Sequence, residues 1–151
     1  MMKNIANNTN IEFISASDAR KEWSQVLDNV VREKPQFIKR TRDNLLISDF
    51  NMMKYILAGY EFTATKYIED DSSITLSLNE IDLVENGSTE QEAKYKLAQQ
   101  ILEYSKEYYE DFHFWSAAPN RKDHIPFVFK ALILQDTNLI GESIKCLHGK
   151  N

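Results

Sequence analysis

The sequence predicts a two-part α/β protein: an N-terminal module of three short strands and two helices over residues 1–60, then a small α+β domain over residues 61–151 with an antiparallel strand pair and one long helix. Three observations predict it. Ala19, Trp23, Val26, Leu27 and Val30 recur at helical spacing between two short extended runs. A second helical stripe, Ala93, Leu97, Ile101, Tyr104, Ser105 and Tyr108, follows the capping-box pair Thr89 and Glu92. Between these stripes lie β-branched and aromatic runs interrupted by turn residues.

Taken in order, residues 1–10 are Asn-rich and aperiodic, which suits a mobile arm. Glu12 to Ser15 has strand character. Ser17 is placed to cap a helix running to about Val31, because its hydroxyl can accept a first-turn N–H. The apolar face of that helix must be buried. Pro35 separates it from an extended run, Gln36 to Arg40; Thr41 to Asn44 turn the chain, and Leu45, Leu46 and Ile47 return. Ser48 or Asp49 can cap a short helix over about Asn51 to Ala58, with Gly59 in the left-handed position that ends it.

Residues 62–69 and 74–84 read as two antiparallel strands joined by the turn Asp70, Asp71, Ser72 and Ser73, the second strand ending at Asn86-Gly87. The long helix spans about Thr89 to Asp111. An aromatic group, Phe112, Phe114 and Trp115, precedes a loop through Pro119. Pro126 fits the first turn of a helix over Ile125 to Leu134, and a last helix is expected from about Asn138 to Leu147.

The 151 residues are 42% apolar and 11% aromatic, enough for a packed core. One cysteine, Cys146, leaves no intrachain disulfide, and there is neither a signal-like start nor an apolar run of membrane-spanning length. A cytoplasmic protein is expected. The net charge of −5 divides unevenly: residues 1–60 carry 9 Lys/Arg against 7 Asp/Glu, and residues 61–151 carry 9 against 16. The first part suits phosphates; the second suits a basic protein partner or is simply a solubilising surface.

Arg20 and Lys21 fall in the first turn of the predicted helix, where the dipole disfavours cations by up to about 1 kcal/mol. Phosphate contact would offset that cost; neutralisation by Asp18 and Glu22 is the alternative. Lys39, Arg40 and Arg42 crowd the hairpin, either to meet an anion or to discourage edge-to-edge aggregation. No Gly-x-Ser-x-Gly, P-loop or His-Glu-x-x-His pattern is present, and four glycines form no phosphate-cradling loop, so no enzyme or cofactor is expected. Cys146 and His148 could bind a metal only if His113 or His124 joined them through the fold. Tyr104 and Tyr108 have core spacing, whereas Trp115, beside a polar loop, could anchor a partner.

The stretches ISASDARKEWSQVLDNVV, FIKRTRDNLLISDF and NMMKYIL, residues 14–57, resemble the DNA-binding domain of Phd/YefM antitoxins. Ala19 and Arg20 match the pair that opens the family's helix, Leu27 and Asp28 the pair near its middle, and Arg40 the residue closing the first hairpin strand before an apolar second strand. The resemblance implies a homodimeric operator-binding repressor, with Arg20 and Arg40 as DNA contacts supported by Lys21, Lys39 and Arg42. SLNEIDLVENGSTEQEAKYKLAQQILEYSKEYYED and APNRKDHIPFVFKAL, roughly residues 76–134, resemble the C-terminal extension of larger Phd-like antitoxins paired with RelE-type toxins; the strand, Gly-Ser-Thr turn and long helix also resemble part of a HicB-type domain. The partners implied are a RelE-like ribonuclease toxin and operator DNA. Ordinary Phd/YefM proteins end in a brief toxin-wrapping segment, a pattern from which this chain departs. Toxin contact is therefore expected from the acidic part, through Glu107, Glu110, Asp111 and Trp115. A protein-interaction or adaptor domain without DNA binding is the alternative.

Overall fold

The computed structural model describes residues 11–149, and the arm expected over residues 1–10 lies outside them. Among the described residues the fold is mixed α/β, with two sheets and seven α-helices. The chain divides into two compact units, Met1–Met52 and Met53–Asn151. The division falls within a helix, whereas the sequence reading places the boundary at residue 60.

In the first unit β1 (Ile14–Ser15) runs parallel to β2 (Gln36–Arg40), which pairs antiparallel with β3 (Asp43–Ile47). The helix expected over residues 17–31 is two helices, α1 (Ala16–Lys21) and α2 (Trp23–Arg32). Ser15, not Ser17, is the cap: its hydroxyl accepts from the Asp18 N–H at 3.1 Å, so the helix starts directly from the end of the strand. Glu22, at φ −115° and ψ 37°, leaves the helical region and separates the two helices. Ala19, Val26 and Val30 are buried as expected, but Trp23 and Leu27 are 47% and 41% exposed. With Val31, they form an i, i+4, i+8 stripe beside the buried face, left exposed among the described residues.

The hairpin turn is Thr41-Arg42, with Thr41 at φ 53°, so β3 begins two residues before Leu45. α3 (Phe50–Ile56) continues into a 3₁₀ turn, Leu57–Gly59, and Asp49 caps its start by accepting from Met52 N–H at 2.9 Å. Gly59 does not take the left-handed conformation expected of it, because the 3₁₀ turn ends that helix instead.

The second unit holds four strands where a pair was expected. β4 (Thr63–Ile68), β5 (Ile74–Leu78) and β6 (Val84–Gly87) form an antiparallel meander, and β7 (Lys145–His148) lies parallel to β4 on its other side. The run over residues 74–84 is therefore not one strand. Asn79 donates its N–H to Thr63 O and Leu83 donates to Ile81 O, a tight reversal that re-pairs the chain as β6. The Glu80 carboxylate fastens this reversal to Thr63, accepting from both its N–H and its hydroxyl.

The long helix is α4 (Glu90–Glu110), with Thr89 accepting from the Glu92 N–H. Of its buried residues, Ala93, Leu97, Ala98 and Ile101 join the core cluster with the sheet, while Tyr108, farther along, packs against Phe112 and Trp115. Gly87 is required where the helix starts close to β6: a Cβ there would lie 2.5 Å from Ala93 N. The aromatic group forms α5 (Phe112–Ala117), followed by a 3₁₀ turn at Lys122–His124 and by α6 (Ile125–Leu134), with Pro126 in its first turn as expected. The last expected helix is only α7 (Thr137–Ser143). Ile144 turns extended and is buried, and Lys145 N–H bonds Phe62 O, so tertiary pairing with β4 claims the residues that follow. No helix among the described residues is long and apolar enough to cross a membrane.

Candidate functional site

The five cations singled out in the first unit fall in two places. Arg20 and Lys21 lie in the last turn of α1, not in a first turn. The dipole argument is therefore reversed for α1, whose C-terminal end favours cations. The same break that moves them also creates the N-terminus of α2, with no side-chain cap and no acidic residue in its first turn. First-turn N–H groups without a side-chain cap thus stand beside Arg20 and Lys21, with the Glu22 carboxylate at the N-cap position between them.

The other three stand on the hairpin. Lys39 faces Asn44 across the ladder and Ser15 on β1, with its Nζ 6.0 Å from the Phe13 ring centroid. Arg40 pairs with Asp43 at 3.0 Å across the turn, both side chains largely exposed. A surface pair of this kind contributes about 0–1 kcal/mol, little enough for a phosphate to compete for the guanidinium. Arg42, at the tip, makes no ion pair among the described residues.

The apolar surface of this unit is more prominent than its core. Only Ala19, Val26 and Ile38 form the buried cluster, supported by Ile14, Ala16 and Ile47. Trp23, Leu27 and Val31 on α2 and Leu45 and Leu46 on β3 face outward. The α2 stripe is the kind of exposed apolar surface that a protein partner can cover, on a unit with little core of its own.

In the second unit Glu107, Glu110 and Asp111 are exposed at the end of α4, which has no basic residue in its last turn. Anions at a helix C-terminus cost about 0.3–1 kcal/mol each, a cost that a cationic partner would relieve. Trp115 does not stand free beside them. It is half-buried, stacked on Tyr108 at 6.2 Å, 6.3 Å from the Tyr104 ring, and covered by the Arg121 guanidinium 5.0 Å above it. The neighbouring exposed aromatics are instead Tyr109 and Phe114, 60% and 64% accessible.

The packing around Trp115 includes a polar cluster that the sequence does not reveal. Arg121 Nη1 donates to the Tyr104 hydroxyl at 3.0 Å, that hydroxyl lies 2.6 Å from His124 Nδ1, and the Tyr108 hydroxyl donates to Arg121 O at 2.8 Å. Burial first, and then the Arg121 charge, lower the His124 pKa; Asp82 and Asp123 pull it the other way. Spacings of 17 and 20 residues carry no local signal. Tyr104 and Tyr108 were legible only as a helical stripe.

Cys146 lies apart from this cluster, its thiol against the Glu90 carboxylate; burial and that contact push it up to about 11, which keeps it protonated and unreactive. Among the described residues no group of three or more His, Cys, Asp or Glu is gathered to hold a metal.

Comparison with known proteins gives two matches. A protein-family model, PHD-like, described as the antitoxin of RelE/RelB toxin–antitoxin systems, matches residues 11–146. The chain is similar to a crystal structure from Syntrophomonas wolfei subsp. wolfei, an antitoxin part of a proposed toxin/antitoxin system, at 34% identity and TM-score 0.87, over 92% of this chain and 100% of that one. No curated protein matches.

Proposed function

Because the chain belongs to the PHD-like antitoxin family of RelE/RelB toxin–antitoxin systems, we propose that it neutralises a RelE-like ribonuclease toxin by direct binding and represses its own operon as a DNA-bound homodimer. It acts in the cytoplasm by binding alone, without catalysis or cofactor. The observation that carries this reading is the contrast between residues 1–60, with 9 Lys/Arg against 7 Asp/Glu and an open apolar stripe on α2, and residues 61–151, with 9 against 16 and their own core.

Trp23, Leu27 and Val31 supply a self-complementary face for a twofold-related copy, and an isologous dimer matches a palindromic operator. Arg20 and Lys21, beside the uncapped start of α2, and Lys39, Arg40 and Arg42 on the hairpin contact DNA, mainly its phosphates. Residues 61–151 supply most of the toxin contact, with Glu107, Glu110 and Asp111 facing the basic surface expected of a ribosome-directed nuclease. Trp115 can join that contact only if its covering opens.

Co-expression with the neighbouring toxin frame, scored for growth, tests neutralisation: the full chain rescues growth, and one ending at Gly59 does not. Rescue by the truncated chain at matched expression would move the toxin site into the first unit. One observation favours a protein-interaction module without operator binding, namely that Arg40 is already paired with Asp43. Mobility shift on the operator decides between them, since that module leaves the DNA unshifted at every salt concentration.

A further inference from the structure

The His124 cluster uses three side chains to fix one hydrogen-bond direction. A guanidinium only donates, so Arg121 Nη1 gives a proton to the Tyr104 oxygen at 3.0 Å. The Tyr104 O–H is then free to donate elsewhere, and an unprotonated His124 Nδ1, 2.6 Å away, is placed to accept it. That arrangement requires an unprotonated Nδ1 and a neutral ring carrying its proton on Nε2. A proton added at Nδ1 would point a second cation at an oxygen already held by Arg121 and leave the tyrosine proton without its acceptor.

The consequence reaches beyond one bond. Arg121 covers Trp115 at 5.0 Å, and its carbonyl accepts from Tyr108. Tyr104 and Tyr108 both lie on α4, whereas Trp115, Arg121 and His124 all lie on the segment that follows it. Displacing either cation from the Tyr104 oxygen therefore weakens the attachment of that segment to α4. The charged groups facing His124 are Arg121 and Asp123 from its own segment and Asp82 from the connection between β5 and β6. The two carboxylates favour the added proton, while burial and Arg121 oppose it more strongly.

We propose that residues 111–124 form an acid-opened latch: neutral His124 holds the segment on α4 by accepting the Tyr104 hydroxyl, and protonation at Nδ1 releases it and uncovers Trp115. This goes beyond the antitoxin reading and does not depend on it. The sign follows from linkage. The open form binds the His124 proton more readily than the closed form, so the closed form is fully favoured above the ordinary histidine value of about 6.5 and loses stability as pH falls below it.

The full chain carrying Trp23→Phe has Trp115 as its sole tryptophan. Between pH 8 and pH 5 its acrylamide quenching should rise several-fold, with a red-shifted emission, and the midpoint should follow the imidazole NMR titration of His124 rather than those of His113 and His148. His124→Asn places an amide oxygen near the Nδ1 position and should keep Trp115 shielded across the whole range. Tyr104→Phe removes the shared hydroxyl and should raise quenching already at pH 8. The proposal is overturned if Trp115 stays shielded while His124 protonates, or if His124→Asn shows the same acid transition. Should His124→Asn fail to fold by circular dichroism, Tyr104→Phe decides: quenching at pH 8 equal to that of the parent overturns the latch.

Discussion

The two units solve the problem of burial differently. The second packs twelve buried side chains into one cluster between its sheet and the helices α4, α6 and α7; the first gathers only three into a cluster and leaves an apolar stripe on α2 open. The difference teaches that the second unit carries its stability within itself, whereas the first depends on being covered. Its basic side chains and its uncapped helix start are carried by the less self-sufficient part of the molecule.

The sharpest way to break this contrast is at the centre of the larger core. Leu97→Ala removes a fully buried side chain and should destabilise the second unit by about 2–5 kcal/mol, read as a lower denaturant midpoint at unchanged slope. A loss below about 1 kcal/mol would mean that this core is not the principal store of stability. Next, if Trp23 and Leu27 hold the proposed dimer, Trp23→Asp with Leu27→Asp should sediment as a monomer at micromolar concentration where the parent sediments as a dimer, with the second unit still folded; a dimer persisting in the variant would place the interface elsewhere.

Smaller effects sharpen the reading of the first unit. Ser15→Ala removes the cap of α1 and should cost about 1 kcal/mol in thermal or chemical unfolding, while Ser17→Ala, at an exposed position inside the helix, should be nearly neutral. Arg20→Ala and Arg40→Ala should each flatten the salt dependence of operator binding by about one unit of slope, with the fold unchanged by circular dichroism. Equal slopes in wild type and both variants would remove these residues from the DNA contact. The smallest effect is expected from Asp43→Ala, which frees the Arg40 guanidinium and should change stability by about 0–1 kcal/mol.

How much of this was legible in the sequence depends on how far apart the interacting residues lie. α4 was readable because its signals are local: Thr89 accepts from the N–H three residues on, and the apolar face repeats every turn. The capping detail differs from the expected box, since Glu92 reaches back to Ser88 N–H and hydroxyl rather than to Thr89 N–H. The start of α1 was hidden because Ser15 and Ser17 both have cap chemistry, and the choice rests on where β1 meets β2; the break at Glu22 was hidden because no Gly or Pro marks it. β7 was read as helix because Lys145–His148 has no strand signal apart from its partner β4. Arg20 and Lys21 fall at the opposite end of a helix from the one the sequence suggests, and the covering of Trp115 has no local signal because Arg121 is contributed by the loop beyond it.

The register of β7 against β4 also fixes an order of events in time. Thr63 meets Lys145, so the last ladder of the second sheet joins residues about 80 positions apart, and no earlier stretch of chain can supply it. At a synthesis rate of roughly 5–20 residues per second, β4 waits about 4–16 s with one edge bare before the stretch that pairs with it has been made. The second sheet is thus completed only after translation has passed His148, whereas the first unit, Met1–Met52, has been synthesised well before that point.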